Sequence, residues 1–545
     1  MTGKRNRLLA LLCALALLLT LAGCGSSTAE TDPYGEIPAS TGGKDIERAE
    51  MADEIFSLNS NSRFSFRPLV ATNHANQLIC SLVYENMIEL DNNFEVIEGA
   101  GLITDYSVSE DGRSWTFTVD TTHTFHDGSA VSGLDLRRSL ESAIYADRFR
   151  GRFASIQGVS HSEDKMYVTL GIANTQFVKL LNIPVCKAGT FGDDHPLGSG
   201  PYMWSEEGDR LLAYSGYAGA DKLPVEEIYI KEYTDAASIL SAYEDALIDV
   251  VLNDPSSSTN LGYASSNESR SFATTNMHYV AFNEESALGR YSNIRTALNY
   301  GFDRSFFADE LMRGNAVASP IPMYPTCAAY PEALADDSGY DLARCKLILE
   351  NYGIRDYDGD GKLEFSSGNN ADLVMTMIVA SDSGIKAGMV RRFADDMASI
   401  GLTINVRELS WDEYVEALEN GKLADDTEFD MYYAEVKLRN DFDLTELLQV
   451  RNKNNESTNI NYTHSTDQVF ETYIYNYLAA SDMDRANQYN ILAQHIINTG
   501  SIITIGFEKQ EVITHRGVCK GVDPNMGNPL YNFPNWEIDL EKREK

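Results

Sequence analysis

The segment Asp356-Tyr357-Asp358-Gly359-Asp360-Gly361-Lys362-Leu363-Glu364 brings four acids and two glycines into nine residues. Carboxylates at positions one, three and five, followed by glycine, match the opening of a calcium loop, where hard oxygens surround a hard cation. Position twelve, which in such a loop supplies a bidentate acid, is Ser367. Asp356, Asp358 and Asp360 are therefore candidate calcium ligands; the alternative is an acidic, Gly-rich turn after a helix ending at Tyr352-Gly353. Signatures of catalysis are lacking: there is no G-x-x-x-x-G-K-[ST], no H-E-x-x-H and no G-x-S-x-G. Of nine dispersed histidines only His123 and His126 lie close together, and on an extended segment they point to opposite faces. Cys80, Cys186, Cys327, Cys345 and Cys519 show no C-x-x-C spacing, against both a zinc site and a disulfide scaffold. Cys345 shares a helical face with Leu342, Ile348 and Leu349 and reads as a small buried apolar residue. The chain reads as a non-enzyme that requires no cofactor.

The 545 residues carry 81 Asp and Glu against 44 Lys and Arg, a formal net charge of −37. Phosphate backbones are bound by clustered Lys and Arg, so nucleic acid is not a partner. Apolar residues make up 43% and aromatic residues 10%, a composition that packs a core rather than staying disordered.

Lys4, Arg5 and Arg7 precede an apolar run from Leu8 to Leu21, too short for a stable spanning helix and fitting a signal peptide. Leu21-Ala22-Gly23-Cys24 follows and resembles a bacterial lipobox, which implies cleavage before Cys24 and lipid on its thiol. Acyl chains at about 0.8 kcal/mol per buried CH₂ would anchor a domain without a spanning helix. Residues 1–23 are thus expected to be the signal peptide and residues 24–45 a polar tether, placing the protein on the extracytoplasmic face of the cell membrane.

Alternation in Tyr106–Val108 and in Trp115, Phe117 and Val119, around Glu110-Asp111-Gly112, predicts a hairpin. Ser132 and Asp135 form a capping-box pattern opening a helix with Leu136, Leu140, Ala143 and Ile144 on one face. Two stretches read as βαβ units. The first runs strand Ile228–Ile230, helix Ala236–Ala246, strand Ile248–Leu252. The second runs strand Leu373–Val379, helix Ala387–Ile400 and a strand carrying Leu402, Ile404 and Val406. Ser410 and Glu413 cap a further helix from Trp411 to Gly421.

Ordered motifs then accumulate. Leu82–Asp91, Thr124-Phe125-His126-Asp127-Gly128, Gly198-Ser199-Gly200-Pro201-Tyr202, Val280-Ala281-Phe282-Asn283, Ile294–Tyr300, Asp303-Arg304, the Asp358–Gly361 loop and Phe429-Asp430-Met431 follow one another between about residues 50 and 540. Together they resemble family 5 of the bacterial extracellular solute-binding proteins of ABC importers, the oligopeptide-, dipeptide- and nickel-binding type. The resemblance implies an α/β, two-lobed periplasmic-binding-protein-like fold with crossing strands between the lobes. Lobe I would hold residues 46–90, 190–275 and 505–545, with a β-rich subdomain at 91–189, and lobe II residues 276–504. Gly200-Pro201-Tyr202 is expected to be either a hinge junction or an ordinary turn.

The resemblance also implies a ligand: a short peptide enclosed between the lobes and delivered by a monomer to permease subunits. Peptide-binding members carry a tryptophan shortly before an aspartate that takes the peptide's amine. Here the stretch reads Tyr432-Tyr433-Ala434-Glu435-Val436-Lys437-Leu438-Arg439-Asn440-Asp441, so Asp441 is the match and the tryptophan is missing. Tyr432, Tyr433, Arg439 and Asn283 complete the candidate ligand set, and residues 59–66 are a cleft segment by family position. Nickel or a metal chelate as ligand, and a peptide-sensing receptor, are the alternatives.

Overall fold

The structure is a computed structural model that describes residues 55–543 apart from 258–261, 264–266, 367–368, 454 and 456–457. The signal peptide, Cys24, the tether and Ser367 lie outside the described residues.

Eleven strands form one continuous sheet: β1 (Phe56–Ser60), β2 (Tyr202–Trp204), β3 (Arg210–Ala213), β4 (Glu227–Glu232), β5 (Val250–Asn253), β6 (Asn267–Phe282), β7 (Ala316–Ala318), β8 (Val374–Ala380), β9 (Thr403–Leu409), β10 (Met431–Lys437) and β11 (Ile502–His515). Their order is β9-β8-β10-β6-β11-β5-β1-β4-β3-β2, with β7 alongside β11. The long central pair β6 and β11 is antiparallel and carries the sheet from one lobe into the other. Its register shifts between Ala273 and Met277, a bulge that bends and twists the pair where the lobes meet.

Both predicted βαβ units are present. In lobe I, β4 and β5 flank β1, all three parallel, and the helix Ala236–Glu244 crosses between them. In lobe II, β8 and β9 are parallel and joined by the helix Gly384–Ser399. The capping boxes form: the Ser132 amide donates to Asp135 Oδ2 at 2.9 Å and the Ser410 amide to Glu413 Oε2 at 3.0 Å. Cys345 is fully buried beside Leu349.

The predicted hairpin is part of a second, four-stranded antiparallel sheet: Ile103–Val108, Ser114–Val119, Lys165–Leu170 and Ile156–His161 in spatial order. Its buried Trp115 and Phe117, with Phe177 packed beside them, belong to an apolar cluster that continues into lobe II through Phe442, Tyr477 and Tyr489. Lobe I has a separate cluster around Phe56, Leu58, Ile79 and Tyr202. The β-rich subdomain is thus packed against lobe II as well as joined by chain to lobe I.

Gly198-Ser199-Gly200-Pro201-Tyr202 leads into the sheet-edge strand β2, away from the crossing strands. A Cβ at Gly198 would stand 2.0 Å from the Val83 carbonyl oxygen, so this turn needs glycine for close backbone approach.

Candidate functional site

In an open α/β sheet, ligands are held beyond the carboxyl ends of parallel strands, where diverging loops leave a crevice. Lobe I meets that condition. A cavity of about 400 Å³ is lined by residues just past the ends of β1 (Asn61, Phe64), β4 (Tyr233, Thr234) and β5 (Asn253, Asp254), with His74 beside them. Asn59 fixes two of these loops together: its Nδ2 donates to the Tyr233 carbonyl at 3.1 Å and its Oδ1 accepts from the Tyr233 amide at 2.9 Å. Asn73 caps the helix His74–Val83, accepting from the Asn76 amide at 3.2 Å, and so fixes where His74 begins. Phe64 keeps 45% of its surface exposed at this cavity, an apolar ring facing solvent where a ligand would cover it. A wider cavity of about 820 Å³ shares Asn253, Ser257 and Tyr263 with it and reaches lobe II at Leu311, Arg313 and Ser383. The two form a cleft between the lobes.

Lobe II presents the ends of β8 and β10, which run parallel. Along β10, burial gives way to exposure: Met431 to Tyr433 are buried, while Glu435 and Lys437 reach solvent. Lys386 Nζ lies 3.2 Å from Glu435 and 3.3 Å from Asp382. Crowding by the surrounding protein, then Arg148 and Arg152, lowers the pKa of Lys437, whose side chain still reaches solvent. Burial, then Lys437 and Arg148, also lowers the His74 imidazole, against the pull of Asp254. Residues of lobe I, the subdomain and lobe II therefore converge on one electrostatic environment.

The sequence-named residues fall in three places. Asp441 lies at the contact between the subdomain and lobe II, 1% exposed, accepting from Asn174 Nδ2 at 2.8 Å and from the Asp443 amide at 3.2 Å. Burial, then Asp443, raises its pKa. The next residue, Phe442, has φ +53°, a left-handed conformation costly for an aromatic residue, and its ring packs on Phe94 and Phe507. Arg439 is paired 2.6 Å from both Asp443 and Glu446; burial opposes its charge, but Asp443 and Glu446 hold its pKa above the ordinary value. Arg439 and Asp441 are thus brought together.

Tyr432 and Tyr433 occupy opposite faces of β10, each 1% exposed, in separate apolar clusters. The Tyr433 hydroxyl is 3.0 Å from His278 Nδ1. Asn283 is buried away from the cleft, its Nδ2 donating to the carbonyls of Gly421 at 3.0 Å and Phe429 at 3.1 Å. His123 and His126 are separately engaged, by the Glu85 carboxylate and the Gly200 carbonyl. Residues the sequence reading passed over are His74, which opens a helix, and Asp254, just past β5; position at an element end was their one signal.

The carboxylate oxygens of Asp356, Asp358 and Asp360 lie within 4.8 Å of one another and of Glu364. Glu364 is buried at 1% exposure: its Oε2 accepts from the Tyr357 amide at 2.6 Å, and its Oε1 has no hydrogen-bond partner. No helix among the described residues is long and apolar enough to cross a membrane.

This geometry has counterparts in known proteins. The chain is 20% identical to heme-binding protein A of Haemophilus influenzae over 380 residues, covering 63% of this chain and 67% of that protein. It is 22% identical to the glutathione-binding protein GsiB of Salmonella paratyphi A over 369 residues, covering 64% and 71%. The oligopeptide-binding protein AppA of Bacillus subtilis, solved with a nonapeptide, superposes with a TM-score of 0.59 at 17% identity, over 89% of this chain and 98% of that one. A family model described as bacterial extracellular solute-binding proteins, family 5 middle region, matches residues 99–457. The chain therefore belongs to family 5 of the bacterial extracellular solute-binding proteins, binding proteins rather than enzymes, which deliver their ligands to ABC transporters.

Proposed function

We propose that this protein captures short peptides in the interlobe cleft and delivers them to an ABC permease as a monomer, held at the outer face of the membrane by lipid on Cys24. The observation that carries the reading is the cavity at the ends of β1, β4 and β5, where polar Asn61, Thr234, Asn253 and Asp254 alternate with apolar Phe64, Leu78, Ile239 and Leu240. Such a lining pairs backbone amides and covers side chains at once; a peptide group left dry and unpaired would cost roughly 1–3 kcal/mol. In this reading Asp441 receives the ligand's amine. Thermal-shift measurement against a peptide library tests it: peptides should raise the unfolding temperature, and a library without effect would remove the reading. Cys24→Ser should release the protein from membranes, and persistent attachment would remove the anchor.

A second reading, a metal or metal-chelate ligand, is favoured by one cluster: ligand atoms of His278, Glu435 and Glu508 lie within 4.8 Å of one another beside the crossing strands. Elemental analysis of the purified protein separates it from the peptide reading.

We also infer that calcium occupies the Asp356–Glu364 loop. The unpartnered, buried Glu364 Oε1 is the observation behind it, because a buried oxygen without a partner, on a carboxylate clustered with three other acids, is costly and a bound cation would relieve that cost. The ion would stiffen the loop, whose Leu363 amide donates to the Gly401 carbonyl at 2.8 Å at the end of the lobe II crossover helix.

A further inference from the structure

Glu85 and Glu89, just past the helix His74–Val83, line a cavity of about 450 Å³ that shares no lining residue with either cleft cavity. The rest of its wall comes from separate parts of the chain: His123 of the subdomain, Tyr217 and Lys222 after β3, and Asn528 and Tyr531. The two acids are in different circumstances. Glu85 has a cation at hand, its Oε2 lying 3.0 Å from His123 Nδ1, and that contact raises the His123 pKa. Glu89 has none. Burial raises its pKa to about 7, hydrogen bonds from Asn528 and Asn86 oppose the rise, and the charge of Glu85 adds to it. Lys222, the other basic group on the lining, is exposed.

The hydrogen bonds at Glu89 are lopsided. Its Oε1 accepts twice, from Asn528 Nδ2 at 2.8 Å and from Asn86 Nδ2 at 3.1 Å. Its Oε2 accepts from nothing, and neither does Asn528 Oδ1, on side chains only 5% and 7% exposed. Two buried acceptors on neighbouring side chains therefore lack a donor, which is costly for each and most so for the charged one. An ammonium group has three donors and no acceptor, and it carries the charge that Glu89 lacks. A hydroxyl would bring one donor and no charge.

Tyr217 and Tyr531 suit the rest of such a ligand. Both are half-buried, and both sense the acids: burial, then Glu85, Tyr531 and Glu89, raises the Tyr217 pKa to about 12, and burial, then Glu89, raises that of Tyr531. Aromatic rings attract a cation and cover an alkyl chain. A bare metal ion asks instead for several compact ligands. Among the described residues, three or more metal-ligating groups come within 4.8 Å of one another around Asp356 and around His278, not here.

We propose that this cavity is a second ligand site, outside the interlobe cleft, which binds a small primary alkylammonium through Glu89 and Asn528.

The test is isothermal titration and thermal unfolding of the mature protein at about pH 8, where Glu89 is mostly ionised. The probe is n-butylammonium, with butanol as its uncharged counterpart and potassium as a bare cation. Butylammonium should bind saturably and raise the unfolding temperature, while butanol and potassium should not. Glu89→Gln should weaken butylammonium binding roughly tenfold or more. Removal of that buried charge favours the free protein at this pH, so lost binding would not reflect lost folding. Asp441→Asn, which alters the residue assigned to a peptide's amine, should bind butylammonium as the wild type does. No binding to the wild type, an equal response to butanol or potassium, or wild-type affinity in Glu89→Gln overturns the site. Binding lost in Asp441→Asn but kept in Glu89→Gln also overturns it, and assigns the ammonium to the peptide-binding region instead.

Discussion

His278 Nε2 on β6 lies 2.7 Å from Glu508 Oε1 on β11, tying together the two strands that cross between the lobes, with both side chains 1% exposed. The contact spans 230 residues of sequence. Burial alone would raise the Glu508 pKa, but the His278 hydrogen bond and charge, with Asn276 and Ser256, hold it below the ordinary glutamate value. The pair therefore joins the two central strands through buried side chains in addition to their backbone ladder.

Glu508→Gln removes one partner of a buried pair and should lower unfolding free energy by about 3–5 kcal/mol at neutral pH. A depressed carboxylate contributes stability above its unfolded pKa and loses it as pH falls through the native value. The deficit should therefore be complete at neutral pH and shrink below about pH 4. Denaturant titration across that range checks it; a deficit independent of pH would show that the charge is not what stabilises the crossing.

Glu89 behaves in the opposite sense. It is buried at 5% exposure, its Oε1 accepts from Asn528 at 2.8 Å, its Oε2 is unpartnered, and burial raises its pKa to about 7. A raised carboxylate favours the native state below its unfolded pKa, and that advantage fades as pH rises through about 7. Glu89→Gln should stabilise the protein by roughly 1–3 kcal/mol above this pH and change little near pH 5. Thermal unfolding at the two pH values decides it.

Calcium should raise the unfolding temperature saturably, and a chelator should reverse the rise. Glu364→Gln should abolish the response, and Asp358→Asn should weaken calcium affinity roughly tenfold. An identical response in Glu364→Gln would place the ion elsewhere.

Asp441→Asn keeps the shape of the side chain and removes its charge. If Asp441 receives the ligand's amine, free-amine peptides should bind roughly tenfold more weakly while N-acetylated peptides are unaffected. Isothermal titration with matched pairs reads this directly, and equal loss for both members would assign Asp441 to packing at the Asn174 contact instead.

Local elements were legible because local rules decide them. Alternation in Trp115, Phe117 and Val119 and the boxes at Ser132 and Ser410 need only neighbouring residues. Continuity of the sheet through β6 and β11 was not legible, since their register joins residues more than two hundred positions apart. Tyr432 and Tyr433 looked like a binding face because tyrosines line clefts, but β10 is an interior strand whose first three residues, Met431 to Tyr433, are buried on both faces. Glu364 was outside the three expected ligands because spacing alone does not reveal that its oxygen is buried beside them.

The most direct test of the account is denaturing mass spectrometry of small molecules released from the purified mature protein. The account predicts short peptides. Recovery of a metal chelate, a sugar or another uncharged non-peptide compound in stoichiometric amount would contradict it.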